Sequence, residues 1–267
     1  MEKKVIILKL GGSLITDKTI PFRSRLVVIR NLCRQIKKAY NEDKKLQLLI
    51  GHGSGSFAHV PATKYQMQEG IKNKKQKIGF CEVQDAAASL NRIVVSELIK
   101  AGVLAISVNP SSMMIAKGRK IVEFFDEPIL EAIRMGLTPV FYGDIVFDKS
   151  QGSAIFSTEQ LIAEIVKKFR KKNITVSRVI QNGITKGVLD QKGKVIAEIT
   201  KKNYPKLRRL IFKTEGFDVT GGMKHKLEEA LTMTHYGLKT MIINGSLKNN
   251  LLRDAILSRP IEGTLVK

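Results

Sequence analysis

The sequence predicts an α/β protein built on a largely parallel sheet. Short apolar runs that end in glycine-bearing turns alternate with amphipathic helical stretches, the rhythm of β-α-β units. At 267 residues the chain is long enough for one large domain or two closely joined ones.

The first run, Val5-Ile6-Ile7-Leu8-Lys9-Leu10, is stopped by Gly11-Gly12 and reads as a buried parallel strand. Leu26, Ile29, Leu32, Cys33 and Ile36 recur at helical spacing within a basic frame. Leu46 to Ile50 is the next strand, ending in Gly51-His52-Gly53-Ser54-Gly55. A helix from about Glu82 to Lys100 carries Val83, Ala86, Leu90, Val94 and Leu98 as its inner stripe. Gly102 stops it, and Val103 to Val108 forms another strand. The helix around Pro128 to Arg134 ends at Gly136, and Pro139-Val140-Phe141 re-enters the sheet.

Beyond Asp144 the pattern changes. Ile145 to Phe156 reads as a hairpin turning at Lys149 to Gly152, and Ser157 with Gln160 forms a capping box for a helix to about Lys172. Val179-Ile180 is a strand, and Gly187 to Ile199 reads as a second hairpin turning at Gln191-Lys192-Gly193. Gly221 to Tyr236 is a helix closed by Gly237, Thr240 to Asn244 a last buried strand, and Leu247 to Leu257 a short helix. A functional boundary falls near residue 175, dividing 1–175 from 176–267, with one sheet running across it and no Pro/Gly/Ser-rich linker.

Hydrophobic content of 43% with 26% charged residues is that of a soluble globular protein. No apolar run approaches the roughly 18 residues that cross a bilayer, so no membrane span is expected. The short apolar run after Met1-Glu2-Lys3-Lys4 leads into a glycine turn and reads as a strand rather than a signal peptide. Two cysteines, Cys33 and Cys81, in helical stretches fit a reduced, cytoplasmic setting. The net charge of +22 admits nucleic acid, an acidic membrane surface or anionic substrates as partners. Its lysines are scattered as pairs such as Lys37-Lys38 and Lys171-Lys172, and Trp is absent. That pattern favours a solvated lysine-rich surface and makes nucleic acid an unlikely partner.

Three turns carry the chemistry. Lys9-Leu10-Gly11-Gly12-Ser13 follows the first strand, where glycines let the backbone approach phosphate oxygens and free N–H groups form an anion nest. The stretch lacks the spacing of a Walker P-loop, and a strand-edge turn with an incidental lysine is the competing reading. Gly51-His52-Gly53-Ser54-Gly55-Ser56-Phe57-Ala58-His59 offers a second turn, with His59 either packed in place or donating to an anion. Asp218-Val219-Thr220-Gly221-Gly222-Met223-Lys224-His225-Lys226 enters a helix, whose N-terminal amides suit phosphate and whose Lys226 reaches back to it. Asp144, after Tyr142-Gly143, either caps a turn or holds lysines in place and keeps them protonated. Fixed cations and amides without a covalent nucleophile are what phosphoryl transfer needs.

The order Lys9-Leu-Gly-Gly-Ser, the glycine-rich turn, Gly143-Asp144 and Asp218-Val-Thr-Gly-Gly-Met-x-x-Lys resembles the amino acid kinase superfamily over nearly the whole chain. Within it, Ile15-Thr16-Asp17-Lys18 and the Gly-Ser-Phe-Ala-His turn resemble the isopentenyl phosphate kinases. The resemblance implies a three-layer αβα sandwich, with acceptor binding in 1–175 and nucleotide binding in 176–267. It implies ATP with Mg2+ as phosphoryl donor and isopentenyl phosphate, a phosphate monoester, as acceptor, giving the diphosphate in an alternative mevalonate route. Lys9 and Lys18 would steady the transferred group, His59 would contact the acceptor phosphate, and Asp144 would organise the lysines. Lys9, Gly11, Gly12, Ser13, Gly55, Gly183, Gly221, Gly222 and Lys226 would contact ATP. Ser54, His59 and Gly143 would line the acceptor phosphate, and no side chain is assigned to metal.

The helix from Glu82 and the segment after His59 are expected to hold the prenyl tail, with its length set by Val83, Ala86, Ala87 and Leu90. A homodimer through the helical face of the acceptor half is implied by resemblance alone. Rival acceptors are fosfomycin, N-acetylglutamate and UMP, and a non-catalytic basic nucleic-acid binder is the alternative of another class. The chain departs from the family pattern at Ser54, at Ser157-Thr158-Glu159, and at Ile184 and Lys186 in the nucleotide segment.

Overall fold

Strand β1 (Val5–Leu10) is buried along its whole length, five apolar residues and Lys9, as expected of a strand covered on both faces. The computed structural model describes residues 4–211, 222–246 and 250–267. After β1 come α1 (Gly12–Ile15), α2 (Leu26–Glu42), β2 (Gln47–His52), α3 (Gly55–Lys64) and α4 (Lys74–Lys100). Then follow β3 (Ala105–Ser107), β4 (Met114–Lys117), β5 (Lys120–Phe124), α5 (Glu127–Arg134) and β6 (Thr138–Tyr142). The hairpin β7 (Asp144–Asp148) and β8 (Gly152–Phe156) precedes α6 (Thr158–Lys171) and β9 (Val176–Asn182). The last elements are β10 (Glu198–Ile199), α7 (Tyr204–Ile211), α8 (Gly222–Thr234), β11 (Thr240–Ile243), α9 (Leu251–Ile256) and β12 (Thr264–Val266).

Eight strands form the central sheet in the order β10-β12-β11-β9-β1-β2-β6-β3, parallel except for the β11–β12 pair. Since β1 pairs with both β2 and β9, the sheet runs across residue 175 without a break. Helices α2, α4 and α9 cover one face with Leu32, Ile36, Leu90, Val94 and Leu252; α5 and α6 cover the other with Ile129, Ile133, Leu161 and Ile165. This is the three-layer α/β arrangement. The parallel register places Tyr142, His52, Leu10, Asn182 and Ile243 in one row at the C-terminal edge of the sheet. Every turn that leaves this row opens on the same side of the molecule, where ligands of open α/β sheets bind.

A second sheet, β5-β4-β7-β8, was not foreseen beyond its β7–β8 hairpin. Its β4–β5 turn is Gly118-Arg119 with φ of 58° and 61°, the left-handed pair that tight hairpins use. Helix α4 starts eight residues earlier than expected, capped by Asn73, whose side chain accepts from the Gln76 N–H at 3.3 Å. The basic run Lys74-Lys75-Gln76-Lys77 hid that first turn. The expected hairpin from Gly187 to Ile199 is a correction. Only its tip forms: an antiparallel bridge joins Leu189 to Val195 across the expected turn, with Asp190 N–H on Lys194 O and Ile196 N–H on Val188 O, while β10 pairs in parallel with β12. The capping box at Ser157 and Gln160 is formed as read. Residues 212–221 and 247–249, and with them the turn Asp218 to Gly221 and the expected helix starts at Gly221 and Leu247, lie outside the described residues.

Candidate active site

The turns after β1 and β2 lie backbone on backbone. A Cβ on Gly12 would stand 2.7 Å from the Gly55 nitrogen, and one on Gly53 would stand 2.7 Å from the Gly12 nitrogen. Gly55 has φ +51°, and a Cβ there would stand 2.1 Å from Thr16 Oγ1 and 2.9 Å from the Gly12 oxygen. No side chain fits between them. Thr16, fully buried, stitches the pair, donating its hydroxyl to Gly12 O at 2.8 Å and accepting from the Ser56 N–H at 3.1 Å. The N–H groups of Gly12, Ser13, Ser54 and Gly55 have no acceptor among the described residues. They face a cavity of about 1130 Å³ whose wall includes Lys9, Lys18, His59, Gly143, Asp144 and Glu159.

Lys9 stands at the C-terminal edge of β1 with only 6% of its surface exposed, and its ammonium pairs with Glu159. An ion pair so enclosed gives up hydration on both sides and is kept by its mutual contact. Asp144, the carboxylate expected to organise the lysines, lines the same cavity. Asp144 accepts from the Ser111 N–H at 3.1 Å and the Ile145 N–H at 2.9 Å. Burial pushes its carboxyl up to about 6, with those hydrogen bonds pulling the other way. Glu159, set aside above as a departure from pattern, is the carboxylate that pairs with Lys9. A further carboxyl, Glu229 on α8, is raised to about 8, by burial first and then by Glu159, with Lys9 opposing. Ser157 Oγ reaches its Oε1 at 3.4 Å. Sequence reasoning missed Glu229; its one signal was the acidic pair Glu228-Glu229 one turn beyond Lys226.

Gly11 does not serve as read, because its N–H is held by the Asn182 carbonyl at 2.8 Å. Gly143 lines the cavity, yet its N–H donates to His52 O at 3.1 Å and its carbonyl accepts the Ser54 hydroxyl. Ser54 therefore offers its N–H to the cavity rather than its side chain. His59 on α3 lies at the exposed rim, its pKa lowered by partial burial and then by the nearby Lys18. Val83 lines the cavity with Ala58, Val60, Ala62 and Ile155, a wall of small apolar groups. Ala86 and Leu90 instead pack under α2, and Ala87 packs with Tyr65 and Met67, so these three do not bound the tail.

At the end of β9, a Cβ on Gly183 would stand 2.9 Å from Lys226 Nζ, so the lysine of α8 reaches the same edge. Gly222 is the first residue of α8. Ile184 is 47% exposed, and Lys186 lies 3.9 Å from Glu262. Among the described residues no three His, Cys, Asp or Glu side chains gather as a metal site. Asp144 and Glu159 already have protein partners, so a divalent ion would be held here through nucleotide phosphates.

The family model described as Amino acid kinase family matches residues 4–244. An isopentenyl phosphate kinase of Methanocaldococcus jannaschii is 31% identical over 266 residues, covering 97% of this chain and 96% of that protein. One of Methanothermobacter thermautotrophicus is 28% identical, covering 98% of each. A solved structure titled as isopentenyl phosphate kinase superposes with a TM-score of 0.80 at 26% identity, covering 98% and 99%.

Proposed function

The chain belongs to the amino acid kinase family, and from that premise we propose that it transfers the γ-phosphoryl group of ATP to isopentenyl phosphate, giving isopentenyl diphosphate. The observation that carries this is a single cavity joining two chemistries. Its lining combines Lys9, Lys18 and the amides of Gly12, Ser13, Ser54 and Gly55 with the apolar Ala58, Val60, Ala62, Val83 and Ile155. One end suits phosphate and the other a short hydrocarbon tail.

Two anionic phosphates must approach each other for transfer. At an effective dielectric of about 20, each pair of unit charges about 4 Å apart repels by about 4 kcal/mol. Lys9 and Lys18 offset that repulsion on the acceptor side, with His59 donating a hydrogen bond, and Lys226 offsets it on the donor side. Glu159 holds the Lys9 ammonium at the sheet edge and stops it collapsing onto one substrate. Mg2+ carried on the ATP phosphates would supply further charge there. Apolar side chains around the tail exclude water, so the acceptor oxygen rather than solvent meets the γ-phosphorus. Gly183 and Gly222 leave room for the nucleotide phosphates beside Lys226.

The same reading includes a homodimer. Its support is the outer edge of β3, the last strand of the sheet, where Leu104 and Ile106 are exposed beside Ile99 and Met135. It also places the protein in the cytoplasm, supported by two cysteines that stand unpaired, Cys81 on the surface. The deciding assay follows ADP release from Mg-ATP with isopentenyl phosphate, dimethylallyl phosphate, fosfomycin, N-acetylglutamate and UMP. Turnover on the prenyl phosphates alone is expected, and turnover confined to N-acetylglutamate or UMP would overturn the reading.

A further inference from the structure

His52, the last residue of β2, is fully buried and touches neither the cavity nor any charged group in its hydrogen bonds. Asn91 of α4 approaches it with Nδ2 at 3.1 Å from the ring Nε2. The same Nδ2 lies 3.3 Å from the Val140 carbonyl, and the amide oxygen receives the Ser107 hydroxyl at 2.5 Å. A carbonyl can only accept, so Asn91 must turn its NH₂ toward Val140 and hence toward His52. Nε2 is then the bare, accepting nitrogen, and the ring proton sits on Nδ1. Nδ1 faces the Gly53 carbonyl at 3.2 Å. Tyr142 stacks on the ring, with centroids 5.7 Å apart, and its hydroxyl donates to Asn109 at 3.1 Å.

Across a trans peptide the carbonyl of one residue and the N–H of the next point in opposite directions. Drawing the Gly53 carbonyl inward therefore turns the Ser54 N–H outward, where Ser54 lines the cavity and this N–H has no acceptor among the described residues. We propose that His52 is a positioning residue for the phosphate turn. Its Nδ1–H fixes the Gly53–Ser54 peptide so that the Ser54 amide is aimed at an anion before one arrives. Burial keeps the ring neutral, pushing it down to about 4, so the device does not switch off at working pH. Pre-set amides gain their strength by needing no reorganisation when charge appears. The proposal rests on the reading of this turn as a phosphate cradle.

The first measurement needs no variant: long-range 1H–15N correlation of the His52 ring in the full chain. A neutral Nδ1–H tautomer that persists down to about pH 4 is expected. An Nε2–H tautomer, or a ring that titrates in the ordinary histidine range, would overturn the proposal whatever the enzyme phosphorylates. The second follows the Ser54 amide resonance while inorganic pyrophosphate is added. It should shift in the wild type and in His52→Asn, whose Nδ2 replaces the ring donor, and not in His52→Leu. In kinetics, His52→Leu should raise the acceptor KM by about tenfold and leave the ATP KM within about twofold. An equal rise in both constants would mean lost packing only and would sink the idea. If His52→Leu does not fold, Asn91→Leu replaces it, and the Nδ1–H lock must be lost there too. Absence of turnover on prenyl phosphates would defeat the proposed function while leaving the tautomer and the pyrophosphate shift to stand.

Discussion

The acceptor side and the nucleotide side of the cleft leave room for phosphate by different means. At the ends of β1 and β2, Gly12, Gly53 and Gly55 press backbone against backbone at 2.7 to 2.9 Å from where a Cβ would be. At the end of β9, Gly183 meets only the tip of a lysine, Lys226 Nζ, at 2.9 Å. A main-chain contact cannot step aside, whereas an ammonium on four methylenes can. Ile184 and Lys186 sit on the forgiving side; in the paired turns Gly12, Gly53 and Gly55 are glycine, and the departure there, Ser54, still leaves its backbone N–H to the cavity.

Five substitutions break or sharpen that contrast. Lys9→Ala should have the largest effect, lowering kcat by about 10³, or about 4 kcal/mol of barrier. Single-turnover ADP formation measures it, and a loss below tenfold would move the electrostatic weight to the β9 side. Gly55→Ala, forced to φ +51° and into Thr16, should cost about 3 kcal/mol of stability in urea titration. A near-neutral result would mean that the two turns can part after all.

Asp144→Asn tests the buried carboxyl at the edge of the acceptor turn. Its pKa is raised from 3.8 to about 6, so the folded chain holds a proton that the unfolded chain releases. The stability it brings is full below pH 3.8 and is lost as pH rises through about 6, roughly 3 kcal/mol in all. Asp144→Asn should lack that slope and melt higher than the wild type above pH 6; parallel melting curves would refute the shift. His59→Ala, at the exposed rim, should raise the acceptor KM by about tenfold, about 1.4 kcal/mol, with ATP affinity unchanged. Gly183→Ala should do least, under about 1 kcal/mol of stability and a two- to threefold rise in the ATP KM, because Lys226 can swing away. A collapse as large as that of Gly55→Ala would erase the distinction between the two sides.

Most strands of the central sheet were legible because buried parallel strands announce themselves as near-continuous apolar runs such as Val5 to Leu8. The β4–β5 hairpin was not, since its exposed Lys117, Lys120 and Glu123 break the alternation that marks a half-buried strand. Glycines leave a mark that needs no three-dimensional context, so the paired turns and Lys9 beside them were legible, whereas Lys18 and the acceptor role of His59 were drawn from the family resemblance. Sequence order gave no sign that Glu159 pairs with Lys9. Glu159 lies 150 residues from Lys9, and only the packing of α6 over β1 shows that its longer side chain reaches the ammonium. His52 was read merely as part of a turn, since its role depends on Asn91, 39 positions away on another element.

A cradle of peptide N–H groups has a consequence for how such a protein can change. Every amino acid except proline carries the same donor, so replacing a side chain alters the binding site only if it bends the chain. Ser54 stands in a glycine-rich turn and still presents its amide, having found other work for its hydroxyl on the Gly143 carbonyl. Drift in the letters is therefore tolerated wherever the path of the chain is kept. Chemical reagents that modify side chains would likewise leave these four donors untouched, and only displacement of the backbone removes them.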